Sequence, residues 1–132
     1  MIDVACAIIV DLGGRILVTQ RSAVMKLPLK IEFPGGKVEK EETPMTCLVR
    51  EIKEELNLDI RVIFEMPVIE HTYPDISIRL IPFVCEIAGG TIILKEHAAY
   101  HWLDANELSG LDWAEADIPV MKNYLNSIGK LD

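Results

Sequence analysis

Between Phe33 and Leu58 the chain carries a helix whose own charges work against it. The stretch opens on Phe33-Pro34-Gly35-Gly36-Lys37 and closes on Arg50-Glu51-Ile52-Lys53-Glu54-Glu55-Leu56-Asn57-Leu58. Boundary signals define the helix. Thr43 suits the N-cap, Pro44 the first helical position and Asn57 the left-handed position that ends it. Cys47, Leu48, Ile52 and Leu56 recur at helical spacing and send one face to a core. Glu51 and Glu55 share another face, with Glu54 beside Glu55 and Arg50 one turn before Glu54. Like charges at that spacing destabilise a helix by about 0.2–0.5 kcal/mol per pair. All three glutamates also lie at the C-terminal end, where the macrodipole disfavours negative charge. A bound cation relieves both penalties, and hard oxygen donors in this number suit Mg²⁺ or Mn²⁺. The competing reading of three glutamates alone is a solvated acidic face.

The spacing to the Gly-Gly turn decides between them. Gly36 is followed after five residues by Glu42, and Glu42 after seven by the run Arg50-Glu51-Ile52-Lys53-Glu54-Glu55-Leu56-Asn57-Leu58. This resembles the Nudix box, G-x5-E-x7-R-E-U-x-E-E-x-G-U, where U is apolar. One position departs, since Asn57 stands where the family has glycine. Asn is the next best residue for a positive φ, so the departure bears on helix termination and leaves the chemistry alone.

Composition bounds the rest. The 132 residues fit one domain, 1–132, with a core of its own. A net charge of −8 argues against binding the phosphate backbone of duplex nucleic acid, so a small phosphorylated substrate has to be drawn in by metal and a few local cations. Cys6, Cys47 and Cys85 are an odd count in apolar runs and read as reduced core thiols, not zinc ligands. With no basic leader at Met1-Ile2-Asp3-Val4 and no apolar run of membrane-spanning length, a soluble cytoplasmic protein without membrane partners is expected.

Taken in order, Ile2–Val10 and Ile16–Gln20 read as a hairpin of buried strands around Asp11-Leu12-Gly13-Gly14. A loop, 21–30, approaches the Gly-Gly turn. After the helix, 60–69 reads as one strand, 70–75 as a turn and 76–87 as a long strand. Pro82 predicts an edge position or a bulge there. Ala88-Gly89-Gly90 reads as a turn into a short strand, 91–94, and 98–103 as another strand. Asp104 suits the cap of a short helical turn through Leu108. Ile118, Met121, Tyr124, Leu125 and Ile128 mark a last amphipathic helix, 117–128. Strands with two principal helices predict an α/β (α+β) fold, a mixed sheet covered on both faces. The α/β/α sandwich implied by the Nudix resemblance agrees.

The resemblance runs over nearly the whole chain and is nearest to the MutT-like nucleoside triphosphate pyrophosphohydrolases. What it implies is a Mg²⁺-dependent (or Mn²⁺-dependent) enzyme that splits a nucleoside triphosphate into monophosphate and pyrophosphate. Glu51, Glu54 and Glu55 bind metal, the Gly35 carbonyl completes the site, and Glu96 approaches it from outside the helix. One of these carboxylates is the general base, and the sequence leaves open which, because geometry comes before pKa in defining a base. Arg50 orients the glutamates and Glu42 ties the loop to the helix. Arg21 and Lys37 are counted with the nucleotide-binding residues. Tyr73 is placed to stack on a base, or to pack on its own protein. His97 and His101 are read as surface or packing residues, since the cluster is all oxygen.

Ala116-Asp117-Ile118-Pro119 resembles the segment that reads the base in this group, in the form found in its CTP pyrophosphohydrolase branch. An ionised Asp117 accepts from the exocyclic amine of cytosine, or equally from the N1–H and N2–H edge of a guanine. It would also serve as a helix N-cap. The expected substrate is therefore CTP, dCTP or a modified nucleotide, against 8-oxo-dGTP, ADP-ribose or a dinucleoside polyphosphate. A nucleotide-sensing module without catalysis is the rival from another class, and such modules often lack a box glutamate that is present here.

Overall fold

The computed structural model describes Met1–Lys130. Eight strands form one mixed sheet: β1 (Ile2–Val10), β2 (Ile16–Gln20), β3 (Ile31–Glu32), β4 (Gly35–Lys37), β5 (Leu58–Glu65), β6 (Ile69–Thr72), β7 (Ser77–Gly90) and β8 (Ala99–Leu103). Helix α1 (Pro44–Leu56) covers one face. A 3₁₀ turn (Ala105–Gly110) and helix α2 (Asp117–Ser127) cover the other. The alternation of β1 explains the two-sided core. Ala5, Ala7 and Ile9 join Leu48, Ile52 and Leu56 under α1, whereas Cys6 and Ile8 join Val120, Met121 and Tyr124 under α2. The result is the α/β/α sandwich.

β1 and β7 run parallel at the centre, Ile2 opposite Ile78 through Ile9 opposite Cys85. Each has its outer edge shared by two partners. Along β1, β4 pairs with the first half (Val4–Cys6) and β2 with the last residues (Ile9, Val10). Along β7, β6 pairs with the first residues and β5 with the rest. β2 also carries β3 and β8.

The boundaries of α1 follow the local signals. Thr43 Oγ1 accepts from Thr46 N at 3.1 Å, and Pro44 takes the first helical position. Asn57 adopts φ 59°, its N–H bonding Lys53 O, while its side chain donates to Thr91 O.

Four expectations need correction. Gly35-Gly36 is no turn but part of β4, antiparallel to β1. The glycines serve close approach, because a Cβ on Gly35 would overlap the Ala5 carbonyl and one on Gly36 would overlap the Glu51 side chain. Residues 60–69 are not one strand. β5 ends at Glu65, and Met66-Pro67-Val68 separates it from β6, so the turn begins only at Tyr73. Pro82 sits on neither an edge nor a bulge of β7 but opposite that break. Its carbonyl accepts from Met66 N at 2.9 Å, and its missing N–H points to the same side, where the neighbouring strand is interrupted. Finally, β7 continues through Gly89 and Gly90, paired to Asp59 and Leu58, and 91–94 is irregular chain. Ile93 N and Lys95 N bond Leu56 O and Glu55 O at the end of α1, so the helix terminus replaces a strand partner.

Candidate active site

α1 and β4 meet with Glu51 between them. Arg50 organises the acidic face. Its Nε and Nη2 grip Glu42 (3.1 and 2.6 Å), and its Nη1 donates to Glu51 Oε1 at 3.0 Å and to Glu54 Oε2 at 3.1 Å. Glu42 also accepts from Glu39 N, which pins the loop before α1. The Arg50 fork and that N–H hold the Glu42 carboxyl down at about 2. Glu51 and Glu55 behave oppositely. Burial pushes both carboxyls up, for Glu55 with added repulsion from Glu96. The side chains of Glu51 and Glu55 are 14% and 21% exposed, against 59% for Glu54, so the buried pair carries the electrostatic strain.

A cleft of about 490 Å³ lies on the α2 face of the sheet. Val4, Cys6 and Leu80 line it, together with Arg21, Lys26, Glu32, Tyr73, Asp75 and Asp117. Gly35 and Gly36 also line it, so the cleft and the glutamates adjoin across β4. Such a recess, mostly apolar with a few convergent polar groups, is the form a small-molecule site takes.

Of the residues singled out from sequence, Arg21, Tyr73 and Asp117 line the cleft. Arg21 donates to Lys26 O and to Glu32 Oε1. Tyr73 Oη accepts from Ala116 N at 2.9 Å and its ring stands edge-on to His71, so it braces the segment that carries Asp117. Asp117 is not the N-cap of α2; that position belongs to Ala116. Asp117 is buried, its Oδ2 accepts from Phe33 N at 2.9 Å, and burial followed by the charge of Glu32 pushes its carboxyl well up. Lys37 is exposed on β4, opposite Val4, and is not among the cleft-lining residues. Glu96 is exposed, near enough to raise the carboxyl of Glu55 by its charge.

Two functional candidates were missed. Glu32 lines the cleft with one oxygen on Arg21 and the other on His97 Nε2 (2.9 Å). His97, read as a surface or packing residue, is buried, and its Nδ1 stands 3.9 Å from Glu55 Oε2. Hydropathy has no signal for a single buried histidine in an irregular segment. His101, by contrast, is exposed on β8.

Among the described residues no three His, Cys, Asp or Glu side chains stand together as a ready-made cation site. The donor chemistry nonetheless fits a hard cation. Glu55 Oε2 is buried without a hydrogen-bond partner, and Glu51 is pressed by burial towards its neutral form, so both have something to gain from positive charge.

A mixed sheet between two helix layers, with a glutamate-bearing helix beside a largely apolar cleft, is an arrangement suited to a small phosphorylated ligand. The chain belongs to the Nudix family: the NUDIX domain model matches residues 1–124. It is a Nudix hydrolase of the MutT-like/CTP pyrophosphohydrolase branch, with the general nucleoside triphosphate pyrophosphohydrolase activity of that branch, and the family generally uses a divalent cation. It is 32% identical over 120 residues to an 8-oxo-dGTP diphosphatase of Escherichia coli, covering 91% of this chain and 93% of that one. To the CTP pyrophosphohydrolase of the same organism it is 34% identical over 125 residues (95% and 92%). Among solved structures, a MutT Nudix hydrolase from methicillin-resistant Staphylococcus aureus superposes with TM-score 0.76 at 43% identity, covering 96% of each chain.

Proposed function

We propose that the protein hydrolyses a cytosine nucleoside triphosphate (CTP, dCTP or a 5-modified dCTP) to the monophosphate and pyrophosphate, with Mg²⁺ or Mn²⁺. The observation that carries this is Asp117. One carboxylate oxygen is committed to Phe33 N, which leaves the other to a base in the cleft. A carboxylate there accepts from the cytosine amine, which uracil lacks. The likeness to a CTP pyrophosphohydrolase supports the same reading.

In this proposal Glu51, Glu54 and Glu55, the Gly35 carbonyl and Glu96 would hold the cation. When bound, the cation offsets phosphate charge and makes a bound water more acidic. Arg50 keeps Glu51 and Glu54 oriented, and one of the carboxylates takes the proton of the attacking water. Arg21 meets the nucleotide at the cleft wall, Tyr73 supports the Asp117 segment, and Lys37 supplies positive charge near the phosphates.

A second reading has its own support. Burial raises the Asp117 carboxyl, and a neutral carboxyl donates instead of accepting, which suits the carbonyl of an oxidised guanine. Likeness to an 8-oxo-dGTP diphosphatase points the same way. Product analysis over CTP, dCTP, UTP, GTP, 8-oxo-dGTP, ADP-ribose and a dinucleoside polyphosphate tests both. The cytosine reading expects pyrophosphate release with the highest kcat/KM on CTP or dCTP. A best turnover of 8-oxo-dGTP establishes the second reading. A best turnover of ADP-ribose or a dinucleoside polyphosphate overturns both.

A further inference from the structure

His97 lies in a segment tied at both ends. Lys95 N bonds Glu55 O at the end of α1 (3.2 Å), and Ala98 N bonds Gln20 O at the end of β2, one residue before Arg21 (2.9 Å). The imidazole therefore cannot drift far from either element. Its Nε2 is 2.9 Å from Glu32 Oε2, whose partner oxygen receives Arg21 at 2.9 Å. Since a carboxylate accepts, Nε2 donates. The other ring nitrogen, Nδ1, faces Glu55 Oε2 at 3.9 Å, and both atoms are buried without a hydrogen-bond partner among the described residues. Two orphaned polar atoms facing each other are an unusual arrangement, since buried polar groups are nearly always paired. A hydrogen bond between them needs a proton on Nδ1 as well as on Nε2; with the ring donating from both nitrogens, a shift of roughly 1 Å closes the bond to Glu55.

We infer that His97 is a positioning residue: through Nδ1 it sets the side chain of Glu55, and through Nε2 that of Glu32. The cleft wall (Arg21, Glu32) and the glutamate helix (Glu55) are thereby held in one fixed relation by a single ring. This rests on the proposed role of Glu55 at the cation site. A group that orients a ligand carboxylate without touching metal or substrate typically changes affinity or rate by about 10- to 100-fold when removed.

The two ring edges can be separated chemically. His97→Asn keeps a polar atom near the position of Nδ1 and loses reach to Glu32. His97→Gln keeps one near Nε2 and leaves Glu55 without its neighbour. In the full-length protein, His97→Gln should lower kcat by about 10-fold or more with KM nearly unchanged. His97→Asn should instead raise KM several-fold while keeping most of kcat, and His97→Ala should show both losses. Mn²⁺ titration of the nucleotide-free protein, followed by electron paramagnetic resonance, gives a readout apart from turnover. Its Kd should weaken in His97→Ala and His97→Gln and recover in His97→Asn. Should His97→Ala fail to fold, the Asn and Gln variants still decide the matter. Equal loss of kcat and KM in both, in step with a lowered Tm, would make His97 a packing residue and overturn the inference. An unchanged Mn²⁺ Kd across the series would overturn it as well. If the wild type cleaves no nucleoside triphosphate, the functional reading fails, and the Mn²⁺ series alone decides the role of His97.

Discussion

Gly36 and Glu51 occupy one space: the missing side chain of the glycine is where the glutamate lies, and a Cβ at Gly36 would overlap Glu51 Cδ. The fourteen residues of strand, loop and helix between them thus return a carboxylate to the strand that opens the box. The neighbouring Gly35 differs in kind, because a Cβ there would meet the backbone of Ala5 and Cys6. Gly36→Ala should therefore displace a side chain and spare the fold, lowering kcat by about 10-fold or more with a Tm close to wild type. Gly35→Ala should lower Tm sharply, as backbone cannot yield. Thermal melts beside kinetics check both, and a reversed order of Tm losses would refute the assignment.

Glu55→Gln keeps shape and removes charge from a carboxyl that burial has raised. Such a group contributes its full stability below the ordinary carboxylate range and loses it as pH rises through the raised pKa. The amide removes that loss. Metal-free Tm should hold or rise relative to wild type, with the gap opening as pH increases. Turnover should fall by about 100-fold or more if the residue holds metal or takes the proton. A variant that melts early without metal yet keeps its specific activity would mark Glu55 as structural.

Glu42 runs the other way. Held at about 2 by Arg50 and Glu39 N, it contributes stability above its ordinary value of 4.5 and loses it as pH falls towards 2. Glu42→Gln should lower Tm at neutral pH and converge with wild type in acid. Parallel Tm curves across that window would show that the Arg50 fork does not stabilise the loop.

Activity should vanish in excess EDTA and return with Mg²⁺ or Mn²⁺. Adding either ion should raise Tm, since binding to the folded state alone shifts the unfolding equilibrium. Undiminished turnover with chelator present sinks the metal assignment.

Asp117→Asn tests how the base is read. Phe33 N requires an acceptor, so the amide oxygen must turn to it and the NH₂ must face the cleft. If Asp117 accepts from cytosine, the preference for CTP over UTP falls by roughly 10- to 100-fold, the equivalent of about 1.5–3 kcal/mol for a bond to a charged group. If it donates as a neutral carboxyl, the variant retains its preference. Equal cleavage of CTP and UTP by the wild type would refute the cytosine reading.

The sequence by itself determined α1 and the order of its charges. Caps, apolar spacing and the positions of Arg50, Glu51, Glu54 and Glu55 all act within a turn or two, so their physics is local and readable. The sandwich was legible for a similar reason, since β1 alternates and the strands leave apolar stripes on two faces. Only the tertiary structure decided what those elements touch. Gly35-Gly36 reads locally as a turn, yet β1 captures it as a strand because side-chain-free backbone is what fits beside Ala5 and Glu51. Gly89-Gly90 likewise stays in β7 because Leu58 and Asp59 pair with it, and Pro82 is tolerated centrally because β5 stops opposite it. Asp117 bonding Phe33, and His97 standing between Glu32 and Glu55, join residues 84, 65 and 42 positions apart. No local preference encodes such meetings. They arise when two helix layers close on one sheet and bring distant side chains into one buried space.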